Sequence, residues 1–216
     1  MTYNELVTAI QDYMENTFST TDINTIIRQT EQRIYNTVQF PSLRKNVTGT
    51  ITSGNQYLSA PDDFLSVYSI AVISATGTYT FLLNKDVNFI REAYPSPTAT
   101  GVPKHYAIFG PRSDNARELT FILGPTPNAT FSTELHYYFY PESIVTATNT
   151  WLGDNFDSVL LYGALVEAYT FLKGEADLVA LYDGKYKEAL QLAKRLGDGL
   201  ERQDAYRNGQ ARVGVS

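Results

Sequence analysis

The stretch from Asp154 to Gly174, DNFDSVLLYGALVEAYTFLKG, constrains the fold more than any other part of this chain. Asp154 can cap a helix, Asp157 favours the positive end of the helix dipole, and Gly174 is a residue at which helices end. Apolar residues between these signals surround the helix almost completely, which is typical of a helix packed on several sides. Polar residues interrupt it too often for a membrane span of roughly 20 apolar residues. We therefore predict a central core helix.

Two amphipathic helices are predicted before residue 45. Apolar residues recur at three- and four-residue spacing in both, with Thr2 or Asn4 available to cap the first helix and Ser19 or Thr21 the second. Pro41 is expected to end the second helix. The residues of the second helix predicted to face water are Arg28, Glu31, Gln32 and Arg33.

A long amphipathic helix is predicted after the core helix, because apolar residues recur from Leu178 to Leu200 at three- and four-residue spacing. Gly184 lies inside it, costs about 1 kcal/mol relative to alanine, and is expected to mark a kink or a break. From Glu201 the apolar pattern stops. We expect residues 201–216 to form an extended tail that becomes ordered only against a partner.

Between the helical segments the apolar period changes from about 3.6 to 2, which indicates β-strands. SGN after Ile51 and ATGT after Ile73 are predicted to be hairpin turns. DVNFIREAYP is predicted to be a short helix or a turn that ends before Pro95. The predicted strands are VTGTIT, QYLS, FLSVYSIAVI, TYTFLL, HYAIFG, ELTFIL and FSTELHYYFY.

These elements predict an α+β fold in which N-terminal and C-terminal helix pairs close on each other as an antiparallel helical bundle. An antiparallel β-sheet or sandwich region is inserted between the pairs. The predicted segments are residues 1–45 for the N-terminal helix pair, 46–148 for the β-rich insertion, 149–200 for the C-terminal helix pair and 201–216 for the tail.

Composition excludes several classes of function. The formal net charge of −6 argues against a protein whose main task is to neutralise nucleic-acid phosphates. The sequence contains no cysteine, which excludes disulfides, thiolate metal sites and cysteine nucleophiles. The N-terminal residues alternate polar and apolar character at helical spacing, so no signal peptide is expected.

No catalytic, cofactor-binding or metal site is predicted. His105 and His136 lack a metal-ligand spacing, and both fit ordinary, partly buried positions in strands. Asp62 and Asp63 follow a proline and are typical of a turn. A catalytic dyad there would need a partner that the sequence does not identify.

Three further features leave alternatives open. Glu167 in the apolar helix either forms a salt bridge with Arg or Lys of a neighbouring helix or, if buried, is a catalytic carboxylate of raised pKa. The aromatic run Tyr137–Tyr140 is expected to divide between core and interface by strand alternation. The C-terminal residues suited to partner binding are Arg202, Tyr206, Arg207 and Arg212.

Several segments occur together in an order that resembles the head-to-tail adaptor, or head completion, proteins of short-tailed bacteriophages. They span about residues 22–195. The segments are PSLRK (41–45), YLSAPDDFL (57–65), GVPKHYAIFG (101–110), ILGPTP (122–127), YYFYPE (137–142) and NTWLGDNFDSVLLYGALVEAY (149–169).

The resemblance implies a structural virion protein without catalytic residues or cofactors. It implies a ring, expected to contain twelve copies, that docks to the portal protein, seals the filled head and receives the tail nozzle. The genome passes through the lumen without specific binding, and no membrane is involved. The protein is expected in the virion neck, and in the host cytoplasm during assembly, where the free subunit can be monomeric. The C-terminal end reaches the portal in related adaptors, which assigns the four tail residues to portal binding.

Two other functions remain open from the sequence. One is a carbohydrate-binding or tail-associated hydrolytic module that uses exposed aromatics of the β region. It requires aromatics on one face, together with a calcium site or two carboxylates about 5–10 Å apart. The other is a DNA-binding packaging factor, which the negative net charge disfavours.

Overall fold

A computed structural model describes residues 1–38, 40–96, 98–110 and 118–207, and the side chains of these residues except at 41 and 197–207. Within these ranges the chain is mixed α+β, as predicted. It divides into two compact units, a helical unit (Met1–Leu43 with Pro141–Ser216) and a β unit (Arg44–Tyr140).

The secondary-structure elements are as follows. The α-helices are α1 (Tyr3–Met14), α2 (Thr20–Thr37), α3 (Val87–Ala93), α4 (Ile144–Ala147), α5 (Trp151–Asn155), α6 (Asp157–Phe171) and α7 (Ala176–Arg207). The strands are β1 (Arg44–Ile51), β2 (Tyr57–Ser59), β3 (Ser66–Ile73), β4 (Tyr79–Phe81), β5 (Leu83–Asn84), β6 (Thr100–Gly101), β7 (His105–Phe109), β8 (Thr120–Gly124), β9 (Thr126–Pro127) and β10 (Phe131–Tyr138).

The first two helices begin at predicted caps. The Thr2 hydroxyl accepts a hydrogen bond from the Glu5 amide, and the Glu5 carboxylate accepts one from the Thr2 amide, which forms a capping box. Ser19 caps α2 by accepting a hydrogen bond from the Asp22 amide. Short local signals therefore determine where both helices start.

The predicted N-cap of the core helix is wrong. Asp154 lies inside the short helix α5, whose cap is Thr150, and α6 begins only at Asp157. Phe156 separates the two helices, and its ring packs 5.2 Å from Phe40 and 5.4 Å from Trp151, measured between centroids. This aromatic cluster fixes the break between α5 and α6, a contact that the local sequence does not reveal.

The helix α6 is nevertheless the buried core helix that its apolar circumference predicts. It contacts α1, α2 and α7. A Cβ atom on Gly163 would lie 2.7 Å from Cγ2 of Thr30 in α2 and 3.0 Å from Cε2 of Tyr186 in α7. The absent side chain at this position therefore allows both neighbouring helices to approach the backbone of α6 closely.

The helix α7 differs from prediction in two respects. It runs from Ala176 to Arg207 as one helix, so Gly184 causes no break. It also continues seven residues beyond 200, so the segment 201–207 is helical rather than extended. The segment continues an existing helix, so each added residue gains a backbone hydrogen bond without a new nucleation cost.

The β unit contains two four-stranded sheets. Their strand orders are β1-β10-β3-β4 for the first and β2-β8-β7-β5 for the second, and β6 pairs with β9. Neighbouring strands are antiparallel except in the two-residue pairs β5–β7 and β6–β9. The predicted ATGT hairpin joins β3 to β4, and the predicted helix α3 is present.

The predicted SGN hairpin is wrong. β1 pairs with β10 along all eight residues, whereas β2 pairs with β8 in the other sheet. The chain crosses from one sheet to the other after Ile51, whose side chain is buried in the core of the β unit. Nonlocal pairing with β10 therefore prevails over the local turn signal.

The core of the β unit is formed by side chains from both sheets. Ile70, Val72 and Leu135 from the first sheet share one buried cluster with Phe121 and Leu123 from the second. The strands thus alternate between residues that face this cluster and residues that face outward, as period-2 patterns require. This alternation places the aromatic residues discussed below.

Candidate functional site

An aromatic surface lies on the outer face of the first sheet. The Arg44 guanidinium lies 4.8 Å from the ring centroid of Tyr68 and 5.6 Å from that of Tyr138. On β4, the rings of Tyr79 and Phe81 stack with centroids 6.4 Å apart, and these side chains are 50% and 66% exposed. Exposed, stacked aromatics of this kind are enriched in protein interfaces.

The aromatic run that includes Tyr137–Tyr140 divides as strand alternation predicts. Tyr137 points into the core and is buried, whereas Tyr138 points to the aromatic surface and Tyr140 is exposed. The sequence pattern therefore predicts which half of the run is available to a partner. It does not reveal the contribution of Arg44, which depends on the pairing of β1 with β10.

The turn that contains Asp63 is held by two partners. Lys45 Nζ lies 2.8 Å from Oδ2 of Asp63, and the Tyr137 hydroxyl donates a hydrogen bond to Oδ1 at 2.8 Å. Partial burial raises the pKa of Asp63, but the hydrogen bonds from Lys45 and Tyr137 outweigh it and leave the pKa below its ordinary value. The turn interpretation holds, and these contacts fasten the turn to β1 and β10.

Glu167 forms the salt bridge that was one of its two predicted roles. Its Oε1 lies 3.0 Å from Nη1 of Arg33 in α2. Arg33 also lies 3.8 Å from Asp183 of α7 and stacks over the Tyr186 ring, with 5.0 Å between Cζ and the ring centroid. One arginine therefore connects α2 with both α6 and α7.

Glu31 is buried, which contradicts its predicted exposure. Only 3% of the residue is accessible, and its carboxylate accepts hydrogen bonds from the Ser143 hydroxyl and from the Ile144 amide at 2.9 Å. It thereby holds the start of α4 through one amide and through the hydroxyl of Ser143, which lies 112 residues away in the chain. Burial raises the pKa of Glu31 although both hydrogen bonds and Arg28 oppose the change.

We expect the helical unit to become less stable as pH rises through the titration of Glu31. Because the folded pKa is raised above the ordinary value of 4.5, the folded state binds more protons between the two pKa values. The free energy of unfolding therefore falls as pH rises from about 4.5 through the folded pKa, and Glu31→Gln should remove this dependence. Urea denaturation over a pH series measures the slope.

Glu188→Gln is the matched control, because Glu188 is exposed on α7. It should leave the pH slope of the wild-type protein unchanged. Equal slopes in the wild type and in Glu31→Gln would contradict the assignment.

The tail residues predicted to bind a partner lie at or beyond the end of α7. Arg202, Tyr206 and Arg207 belong to its last turns. Arg212 lies outside the described residues. Toward this end the exposed side chains of α7 include Leu192 and Leu196, so apolar surface precedes the basic residues.

The two histidines are partly buried strand residues, as predicted. The His105 ring shares a hydrogen bond of 3.0 Å between Nδ1 and the Tyr94 hydroxyl, and His136 lies 3.4 Å from Glu134. Burial, followed by the charges of Lys85 and Lys104, lowers the pKa of His105.

In the part of the chain that the structure describes, no three acidic or histidine side chains are arranged to hold a metal ion. No described helix is both long and apolar enough to cross a membrane.

The described residues thus present exposed aromatic and apolar surfaces. A search of curated proteins gives no match. The family model described as SU10 adaptor protein matches residues 1–214, almost the whole chain. That description agrees with the resemblance to phage head-to-tail adaptors drawn from the ordered segments. The chain belongs to the SU10 adaptor protein family.

Proposed function

We propose that the chain is the subunit of an adaptor ring that docks to the portal vertex, seals the DNA-filled head and provides the platform for tail attachment. The observation that carries the proposal is the family match along residues 1–214. The ring is expected to contain twelve copies in the virion neck, assembled in the host cytoplasm from subunits that can be monomeric.

The helical unit supports a role as a rigid building block. We expect α1, α2, α6 and α7 to form an antiparallel bundle, because α6 contacts each of the other three. Salt bridges from Arg33 to α6 and α7 add fixed connections between them. A ring subunit needs a stable body of this kind together with two lateral faces that differ from each other.

The negative net charge suits a channel through which DNA passes. Cationic walls would bind phosphates and release counterions, which would hold the genome in place. A subunit with a formal charge of −6 offers no excess of cations for such binding. DNA is therefore expected to pass through the lumen without specific contacts.

A phage from which the gene for this chain is deleted tests the proposal. Such particles should package DNA, lose it after packaging and carry no tail, which electron microscopy and nuclease protection of the genome both measure. Supplying the chain in trans should restore tailed, DNA-filled particles. Normal infectious particles in its absence would refute the proposed function.

The tail residues give a narrower prediction. Deleting residues 201–216, which include Arg202, Tyr206, Arg207 and Arg212, should abolish ring formation on purified portal while the monomer stays folded. Native mass spectrometry with and without portal measures the ring, and circular dichroism checks the fold. Unchanged binding to portal would show that the anchor lies elsewhere.

The aromatic surface favours one other function, recognition of a glycan by a tail-associated module. Tyr68, Tyr79 and Phe81 provide stacking faces of the type that such recognition requires. The described residues hold no metal-binding cluster, so stacking would have to act with a pair of carboxylates. A glycan array with the purified chain distinguishes this function, since an adaptor should bind none of the glycans.

A further inference from the structure

β1 is an edge strand that is exposed along most of its length. It extends over eight residues, and residues 45–50 are exposed without interruption. Among the described residues its backbone pairs only with β10, on one side. Folded proteins usually shorten, charge or cover such an edge because it readily pairs with another strand.

The hydrogen-bond pattern of the first sheet shows which backbone amides and carbonyls of β1 are unpaired. The amide of Leu82, the residue after β4, donates a hydrogen bond to the carbonyl of Ile70 in β3. The backbone amides and carbonyls of Ile70 and Val72 therefore face β4, whereas those of Ala71 face β10. The same alternation holds across β10, so Val47 and Gly49 of β1 direct their amides and carbonyls toward β10. Thr48 and Thr50 therefore direct their amides and carbonyls away from the sheet.

The opposite edge of the same sheet is β4. By the same alternation Tyr79 and Phe81 direct their amides and carbonyls away from β3. Their side chains lie on the outer face together with those of Thr48 and Thr50, because the register places Thr48, Glu134, Ala71 and Phe81 in one row. Each open edge therefore has two residues whose amides and carbonyls point away from the sheet and whose side chains lie on the outer face.

We propose that β1 of one copy pairs with β4 of a second copy, so that the sheet continues from subunit to subunit. Thr48 lies opposite Phe81 of the second copy, and Thr50 lies opposite Tyr79. This inference rests on the proposed function, since it identifies one lateral contact of the adaptor ring.

Strand direction and side chains both indicate that the strand that pairs with β1 belongs to a second copy of the chain. The four strands alternate in direction, so β1 and β4 run opposite ways and their pairing extends the antiparallel pattern. The pairing covers Tyr79 and Phe81, two exposed aromatics, with threonine side chains, and aromatic–β-branched pairs favour sheet pairing. Because the two edges differ, the contact is head-to-tail and can close into a ring.

Cysteine cross-linking in assembled particles tests the pairing. The chain has no native cysteine, so in a phage that carries Thr48→Cys and Phe81→Cys the two introduced thiols are the only ones in this protein. Within one subunit these positions are three strand spacings apart, about 14 Å, too far for a disulfide. Between paired copies their Cα atoms would be about 5.5 Å apart, which permits one.

The expected result is a ladder of cross-linked multimers on non-reducing gels of oxidised particles. Particles that contain the chain but give no ladder would overturn the pairing and leave the proposed function standing. Particles that form normally without the chain would instead refute the proposed function. Dimers from Thr48→Cys alone would also overturn the inference, because they would indicate that β1 pairs with β1.

Proline substitution provides a second test. Thr48→Pro removes an outward amide, a change that an edge strand tolerates, so the monomer should fold. It should reduce assembly of the chain into particles by about tenfold, which corresponds to one lost backbone hydrogen bond. Tyr57→Ser is the control: it removes an exposed aromatic from the second sheet of the same unit, away from β1 and β4, and should leave assembly unchanged. Equal assembly of Thr48→Pro and the wild type would contradict the pairing.

Discussion

Replacing Leu165 by alanine is expected to lower the free energy of unfolding by about 2–5 kcal/mol. Leu165 is fully buried at the centre of α6, a helix that contacts three others. The substitution removes apolar contacts and leaves a cavity that these helices fill only in part. Urea denaturation followed by fluorescence of Trp151, the only tryptophan, measures the loss in the helical unit.

Leu192→Ala is the matched control for Leu165→Ala. Leu192 is 60% exposed on α7, so its truncation should change stability by less than about 0.5 kcal/mol. Equal losses in the two variants would contradict the assignment of α6 as the internal core. A large loss for Leu165 alone would mean that the apolar circumference of α6 is used inside the subunit, and that contacts between subunits lie elsewhere.

Replacing Phe121 by alanine is expected to cost about 3–5 kcal/mol in the β unit. Its side chain is fully buried between the two sheets, with ring centroids 5.3 Å from Phe64 and 6.0 Å from Tyr106. The substitution removes both edge-to-face contacts and the apolar surface that they bury. Denaturation followed by near-ultraviolet circular dichroism, which reports on the many tyrosines of this unit, measures the effect.

Phe81→Ala separates folding from assembly. Phe81 is exposed at the edge of the first sheet, so its truncation should change monomer stability by less than about 0.5 kcal/mol. If β4 pairs with a second copy, the same variant should nevertheless reduce assembly into particles. A monomer destabilised as strongly as Phe121→Ala would show that Phe81 belongs to the subunit core.

Local signals were sufficient to predict much of the secondary structure. Thr2 and Ser19 cap their helices because the groups that they satisfy lie three residues away. The ATGT turn joins β3 and β4 because its flanking strands pair with each other. Each of these outcomes depends on residues that are close in the chain.

Predictions failed where a partner distant in the chain determined the outcome. Glu31 has the polarity of a surface residue, but hydrogen bonds from the Ile144 amide and the Ser143 hydroxyl stabilise its carboxylate in the interior. The SGN segment fails as a hairpin because β10 pairs with β1. Asp154 is not a cap because Thr150 begins another helix before it.

The candidate surface was only partly predictable. Alternation of Tyr137 and Tyr138 between core and surface follows from the period of two. The open edges of the first sheet do not, since they depend on a strand order that no local pattern specifies. Tyr79, Phe81 and Leu83 also alternate in the sequence, and all three are exposed. That alternation is the one signal from which this edge could have been found.

The length of α7 has a mechanical consequence. At 1.5 Å per residue its 32 residues extend about 48 Å, whereas the 15 residues of α6 extend only about 22 Å. More than half of α7 therefore has no counterpart in α6 along its length. A continuous helix is a stiff rod, so a force applied near Arg207 is transmitted as torque to the segment around Tyr186 and Ala193. A load on the last turns of α7 is thereby coupled to residues that are buried in the helical unit.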